Sequence, residues 1–112
     1  MMEVTTKQFK HCDLVTITGR VDSATAPKLA EALDAINNES RFKIAIDMAG
    51  LEYMSSAGFR ALIAAQRNCK RFNRGEVVLA SVPESIHAAL ELAGFTSLFK
   101  IYPDVTTAVG NL

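Results

Sequence analysis

Two serines stand side by side in LEYMSSAGFRAL, residues 51–62, where one apolar run gives way to another. Three kinds of chemistry are open to Ser55 and Ser56. A serine between a strand and a helix can cap the helix, satisfying an orphan backbone N–H and contributing about 1 kcal/mol. It can act as a nucleophile, but that requires a base, and neither serine lies in a GxSxG elbow or has a base paired with it in sequence. It can also accept a phosphoryl group and act as a switch. A cap accounts for one serine. It does not account for two followed by Ala57 and Gly58, because glycine in the first turn costs up to about 1 kcal/mol relative to alanine. Small residues there imply a close approach to the backbone.

The other chemistry-bearing residues are scattered. His11 and His87 fall in different elements with no partner at ligand spacing, so they read as surface or structural histidines and no metal site is expected. No GxGxxG or GxxxxGK[ST] cradle is present, and no cofactor is expected. A receiver-type phosphoacceptor domain would need clustered acids after its first strand, which KHCD at residues 10–13 does not offer. Arg60, Arg67, Lys70, Arg71 and Arg74 follow the serines with no acid between Glu52 and Glu76. They form either a solvated outer face or a surface for an acidic partner.

The totals bound what can position these groups. The chain has 112 residues, enough for one domain that buries about two-thirds of its unfolded surface without a metal or disulfide. It is 49% apolar and 21% charged with zero net charge, which argues against a broad nucleic-acid or anionic-membrane surface. Cys12 and Cys69 are isolated, and no leader-like segment opens the sequence. Both thiols are expected free, in a cytoplasmic protein. No apolar run is long enough for membrane insertion.

The elements follow from periodicity. Val4–Phe9 and LVTIT, residues 14–18, suggest a hairpin. A helix then begins with Ser23 or Thr25 as cap and Pro27 in its first turn, carrying Leu29, Leu33 and Ile36 on one face. KIAID, residues 43–47, reads as a buried strand. The second helix starts near Ser55 or Ser56. Leu62, Ala65, Cys69 and Phe72 form its stripe, widened by Phe59 and Ile63, and NRG at 73–75 stops it. EVVLAS is a strand. Pro83 opens a third helix with Ile86, Leu90 and Ala93 inward and Gly94 as its cap. LFKIY is a short last strand, and a terminal helix follows Asp104. The order β-β-α-β-α-β-α-β-α predicts an α/β fold: a mixed sheet, mostly parallel with one antiparallel edge strand, and helices mainly on one face.

With these residues in place, IDMAGLEYMSSAGFRALIAA resembles the central signature of STAS domains, specifically of bacterial anti-sigma factor antagonists. That signature is a strand ending in Asp, a short apolar loop, (D/S)-S-(S/A)-G and a Leu-rich helix. GRVDSATAPKL and ELAGFTSLFKIYPDVTTAV are similar to the family's earlier and C-terminal segments, so the resemblance spans one STAS-like domain over residues 1–112. It implies that Ser56, the second residue of the motif, is the serine phosphorylated by a partner kinase. Ser55 stands where Asp is frequent and is a competing acceptor. It also implies that Asp22 and Ser23 share a partner-binding face with Ser55, Ser56, Ala57, Gly58 and Arg60. The implied function is non-catalytic: binding an anti-sigma factor that is itself a serine kinase, with a serine phosphatase for reset. The alternatives are a STAS module in another assembly, such as a stress-signalling scaffold or a nucleotide- or lipid-linked regulator, or a small enzyme using Ser56. Nucleic acid is not an expected partner.

Overall fold

A hairpin opens the chain in this computed structural model, which describes residues 1–112. Strands β1 (Met2–Gln8) and β2 (Asp13–Val21) pair antiparallel, from Met2 opposite Gly19 to Gln8 opposite Asp13. Alternation along β2 buries Val15, Ile17 and Val21 against one face of the sheet. The hairpin turn is pinned from outside. Arg41 pairs with the buried Asp13 at 2.5 Å and donates to the carbonyls of Phe9, at 2.6 Å, and Cys12, at 3.1 Å. Asp13 is the first residue of β2.

The remaining elements are α1 (Ala26–Asn38), β3 (Lys43–Asp47), β4 (Leu51–Met54), α2 (Ser56–Lys70), β5 (Glu76–Ala80), α3 (Glu84–Leu92), β6 (Lys100–Tyr102) and α4 (Val105–Gly110). The main sheet order is β1-β2-β3-β5-β6. Every pairing after the hairpin is parallel. The fold is thus the expected mixed sheet with one antiparallel edge.

Strand β4 was not anticipated: LEYM reads as loop because it is short. It pairs with the far end of β2, beyond the stretch of β2 that pairs with β3. The change of partner needs a bulge at Gly19–Arg20. Gly19 takes a positive φ of 87°, and a Cβ there would collide with the Met1 carbonyl.

The principal core joins Ile44 and Ile46 of β3 and Val77 and Leu79 of β5 to α1, α2 and α3 through Leu29, Leu33, Leu62, Cys69, Ile86 and Leu90. The opposite face carries small residues, Ala45, Val78 and Ala80, and α4 packs there through Ala108. Helices therefore lie mainly on one face, with α4 alone across the sheet.

Two members of the expected stripes fall outside the core. Phe72 is 83% exposed because α2 ends at Lys70, and a short 3-10 turn turns Phe72 to φ 59°. Ala93 is exposed because α3 ends one residue before it. There Gly94 donates to Glu91 and Phe95 donates to Leu90, with Gly94 at φ 79°, which is the paired-bond helix stop that glycine permits.

Gln66 of α2 completes the sheet where β6 has not yet begun. Its side chain accepts from Val77 N at 2.6 Å and donates to the carbonyls of Val77, at 2.9 Å, and Leu98, at 2.7 Å. A side-chain amide thus stands in for a missing strand neighbour of a buried backbone pair.

Candidate functional site

The parallel arrangement brings two helix starts together at one end of the sheet. Strands β2 and β4 run side by side, with Arg20 opposite Tyr53 and Val21 opposite Met54, and Ser55 N donates to Val21 O at 2.8 Å. The next residues, Asp22 and Ser55, leave neighbouring strands about 4.8 Å apart. Each chain then turns into a helix, α1 or α2. The sheet register, not sequence proximity, unites the residues named from sequence.

The two serines divide the chemistry. Ser55 is the N-cap of α2, with extended backbone at φ −80° and ψ 171°, and its Oγ accepts from Gly58 N at 3.5 Å. The bond is long, so the cap lies at the weak end of its range. Ser56 is the first helical residue. It is exposed, and its hydroxyl has no hydrogen-bond partner in the protein. No acidic side chain occupies the first turn of α2, so the positive end of the helix dipole faces solvent uncompensated. No base is bonded to either serine.

Asp22 makes the turn into α1. Its Oδ1 accepts from Ala24 N at 2.9 Å and Thr25 N at 3.0 Å, while Thr25 Oγ1 accepts from Asp22 N at 2.9 Å. The Thr25 hydroxyl also lies 3.1 Å from Asp22 Oδ1. These bonds from Thr25, then from Ala24, hold the Asp22 carboxyl below its ordinary pKa, so a fixed negative charge stands at this end of the sheet. Of the two residues expected at the start of α1, Thr25 takes the N-cap position and Ser23 does not. Thr25 holds that position without a side-chain cap bond; the Asp22 carboxylate closes the turn just before the helix, Ala26 N donates to the Asp22 backbone carbonyl, and Ser23 is simply exposed.

Gly58 is also corrected. It is buried, and a Cβ there would lie 2.6 Å from Met54 Cγ and 2.8 Å from Val21 Cγ1. The close approach that the glycine serves is made by its own sheet, not by a partner. Ala57 is half-buried against the core. Ser23, Ser56 and Arg60 remain open, with Ser55 and Asp22 half-exposed between them. Sequence reasoning missed Tyr53, 41% exposed on β4, and Arg20, whose guanidinium lies 4.5 Å from the centre of the Tyr53 ring. Only the β2–β4 pairing places them at this end.

The other candidates stay apart. His11 is exposed and His87 half-buried, in elements distant in the chain, and no three His, Cys, Asp or Glu side chains converge on a possible metal position. Cys12 and Cys69 are both buried free thiols, and burial pushes both above the ordinary thiol pKa. No helix is long and apolar enough to cross a membrane.

The STAS domain model matches residues 3–108. The chain belongs to the STAS domain family. Among relatives of this STAS domain, the anti-sigma-B factor antagonist of Listeria monocytogenes is 25% identical over 100 residues, covering 89% of this chain and 86% of that one. The crystal structure of an anti-sigma factor antagonist from Mycobacterium paratuberculosis superposes with a TM-score of 0.87 at 21% identity, over 99% and 93% of the two chains. The unphosphorylated form of the anti-sigma factor antagonist SpoIIAA superposes with a TM-score of 0.82 at 12% identity, over 97% and 95% of the two chains.

Proposed function

We propose that this STAS domain is a cytoplasmic anti-sigma factor antagonist, a binding module without catalysis of its own, acting as one unit over residues 1–112. Its partner is an anti-sigma factor that is also a serine kinase. Phosphorylation of Ser56 switches binding off, and a serine phosphatase restores it. The names of its relatives support the class of partner. The observation that carries the switch is the exposed, unbonded Ser56 hydroxyl beside Ser55, which takes the capping role.

The physics separates folding from binding. A phosphoryl group adds about −1.5 to −2 charges at a helix start that favours them by about 0.3 to 1 kcal/mol. The domain folds in either state. A partner covering Ser56 would bury that dianion near the ionised Asp22. An ion buried without a counter-charge costs several kcal/mol, which outweighs the dipole's contribution. Only the bare serine docks. Asp22, Ser23, Ser55 and Arg60 form the rim of the docking face, and Ser55 is the competing acceptor, disfavoured because its oxygen caps the helix.

Incubation with the partner kinase and ATP, followed by mass spectrometry, tests this reading. Label is expected on Ser56 and absent in Ser56→Ala. Label elsewhere would overturn the assignment. Reaction of Ser56 in the isolated protein with a serine-directed covalent probe would turn the reading toward an enzyme.

A further inference from the structure

The five cations that follow Ser56 do not form one uniform surface. Arg74 is tied down: its guanidinium lies 3.8 Å from the centre of the Phe42 ring and donates to Asn68 O at 2.6 Å. Arg60 stands near the Ser56 end. Arg67, Lys70 and Arg71 are exposed, and none of them enters an ion pair; the two pairs in the chain are Arg41–Asp13 and Lys100–Glu76. All three line a surface groove of about 530 Å³ between α2 and the Thr96–Leu98 turn, together with Ile63 and Leu98.

The helix dipole accounts for cations in the last turn of α2. It does not account for their converging on a groove that also exposes Ile63 and Leu98. Arg67 and Arg71 line the same groove, where their like charges repel. Asp34 of α1 lines a neighbouring groove with both arginines but forms no ion pair. The groove is also held in shape. Gln66 beneath it bonds to Val77 and to Leu98 O, fixing the far wall against α2. A groove that sets two apolar side chains, Ile63 and Leu98, among unpaired positive charges fits a ligand of opposite pattern.

We propose that this groove docks an acidic amphipathic protein segment, with a leucine-like side chain set between Ile63 and Leu98 and carboxylates against Arg67, Lys70 and Arg71. Its occupancy does not depend on the charge at Ser56. Arg67 lies eleven positions further along α2, about 16 Å by helical rise. A screening length of about 8 Å at physiological salt attenuates a charge over that distance. A nucleic-acid track is disfavoured because the chain has no net positive charge and only Phe72 among these cations is exposed and aromatic. If one partner reached both ends of α2, it would stay tethered after release at Ser56. That consequence rests on the Ser56 reading, whereas the groove does not.

The test is an amide NMR titration of the full chain with a synthetic helical peptide carrying a Leu stripe flanked on the same face by Glu. A scrambled peptide of the same composition is the control. Shifts are expected at Ile63, Arg67, Lys70, Arg71, Ser97 and Leu98, and not at residues 55–58. The combined variant Arg67→Glu, Lys70→Glu, Arg71→Glu should weaken binding at least about tenfold. Leu98→Asp, on the opposite wall, should also weaken it should the triple variant be unstable. Ser56→Glu should leave the affinity within about twofold. Equal binding of the scrambled peptide, or shifts gathered at residues 55–58, would overturn the proposal. So would tighter binding to single-stranded RNA or to vesicles containing phosphatidylserine.

Discussion

Replacing Ser56 by Glu should move folding and binding in opposite directions. The side chain is exposed and its hydroxyl has no protein partner, so the replacement breaks no bond. A carboxylate at the first helical position gains about 0.3 to 1 kcal/mol from the uncompensated dipole. Arg60 lies four residues on, in the favourable order for an acid followed by a base, and adds about 0.2 to 0.5 kcal/mol. The sum, about 0.5 to 1.5 kcal/mol, corresponds to a rise of about 2–8 °C in melting temperature for a domain of this size. Binding should respond the other way. An ion covered by a partner beside Asp22 costs several kcal/mol, and a loss of 2.8 kcal/mol is about a hundredfold in affinity. Calorimetric melting of the isolated domain and titration calorimetry with the partner kinase read the two effects separately. A melting temperature lowered by more than about 3 °C would show that Ser56 is not an open helix start. Unchanged affinity would show that the partner does not cover it.

The neighbouring serine should behave differently: Ser55→Ala removes the cap and should cost about 0.5 to 1 kcal/mol in urea unfolding, while Ser56→Ala stays within about 0.5 kcal/mol of the parent. Gly58→Ala gains helix propensity but drives a Cβ against Met54 and Val21. Overpacking costs about 1 to 3 kcal/mol and should dominate, so a stabilised variant in the same assay would contradict the packing described. Gln66→Leu leaves the buried Val77 N–H and the Leu98 carbonyl without their partner, and should destabilise the domain by about 1 to 3 kcal/mol with faster hydrogen exchange at Val77. The depressed pKa values of Asp22, held by Thr25, and Asp104, held by the Thr107 N–H, fix the sign of the acid response. The unfolded state binds protons first, so their stabilisation is complete above the unfolded carboxylate pKa of about 3.9 and is lost as pH falls through the lower folded values. Melting curves from neutral to acid pH should show this limb, and it should be shallower in Asp22→Asn and Asp104→Asn.

Periodicity made most of the elements legible. Leu29, Leu33 and Ile36, then Leu62, Ala65 and Cys69, point inward as their spacing requires. The helix boundary at Ser55–Ser56 and the terminal helix after Asp104 also followed from local residue preferences. Strand β4 escaped because four residues carry too little period to distinguish strand from loop, and only the far end of β2 makes them a strand. Phe72 and Ala93 were misplaced for one reason: a stripe can be extrapolated past a helix end that a positive φ imposes.

The sequence by itself determined which hydroxyls could carry a charge, where α2 begins, and that the strands after the hairpin would run parallel. These are properties of neighbours along the chain, set by capping, spacing and crossover length. Tertiary structure alone decided which serine caps and which stays open, that Asp22 and Arg20 stand beside them, and that Gly58 serves its own sheet. It also brought Leu98 across to Arg67 and used Gln66 to hold the groove. Apart from the local Ser55–Gly58 cap bond, these depend on pairings between residues far apart in the chain, and such a pairing leaves no period for the sequence to display.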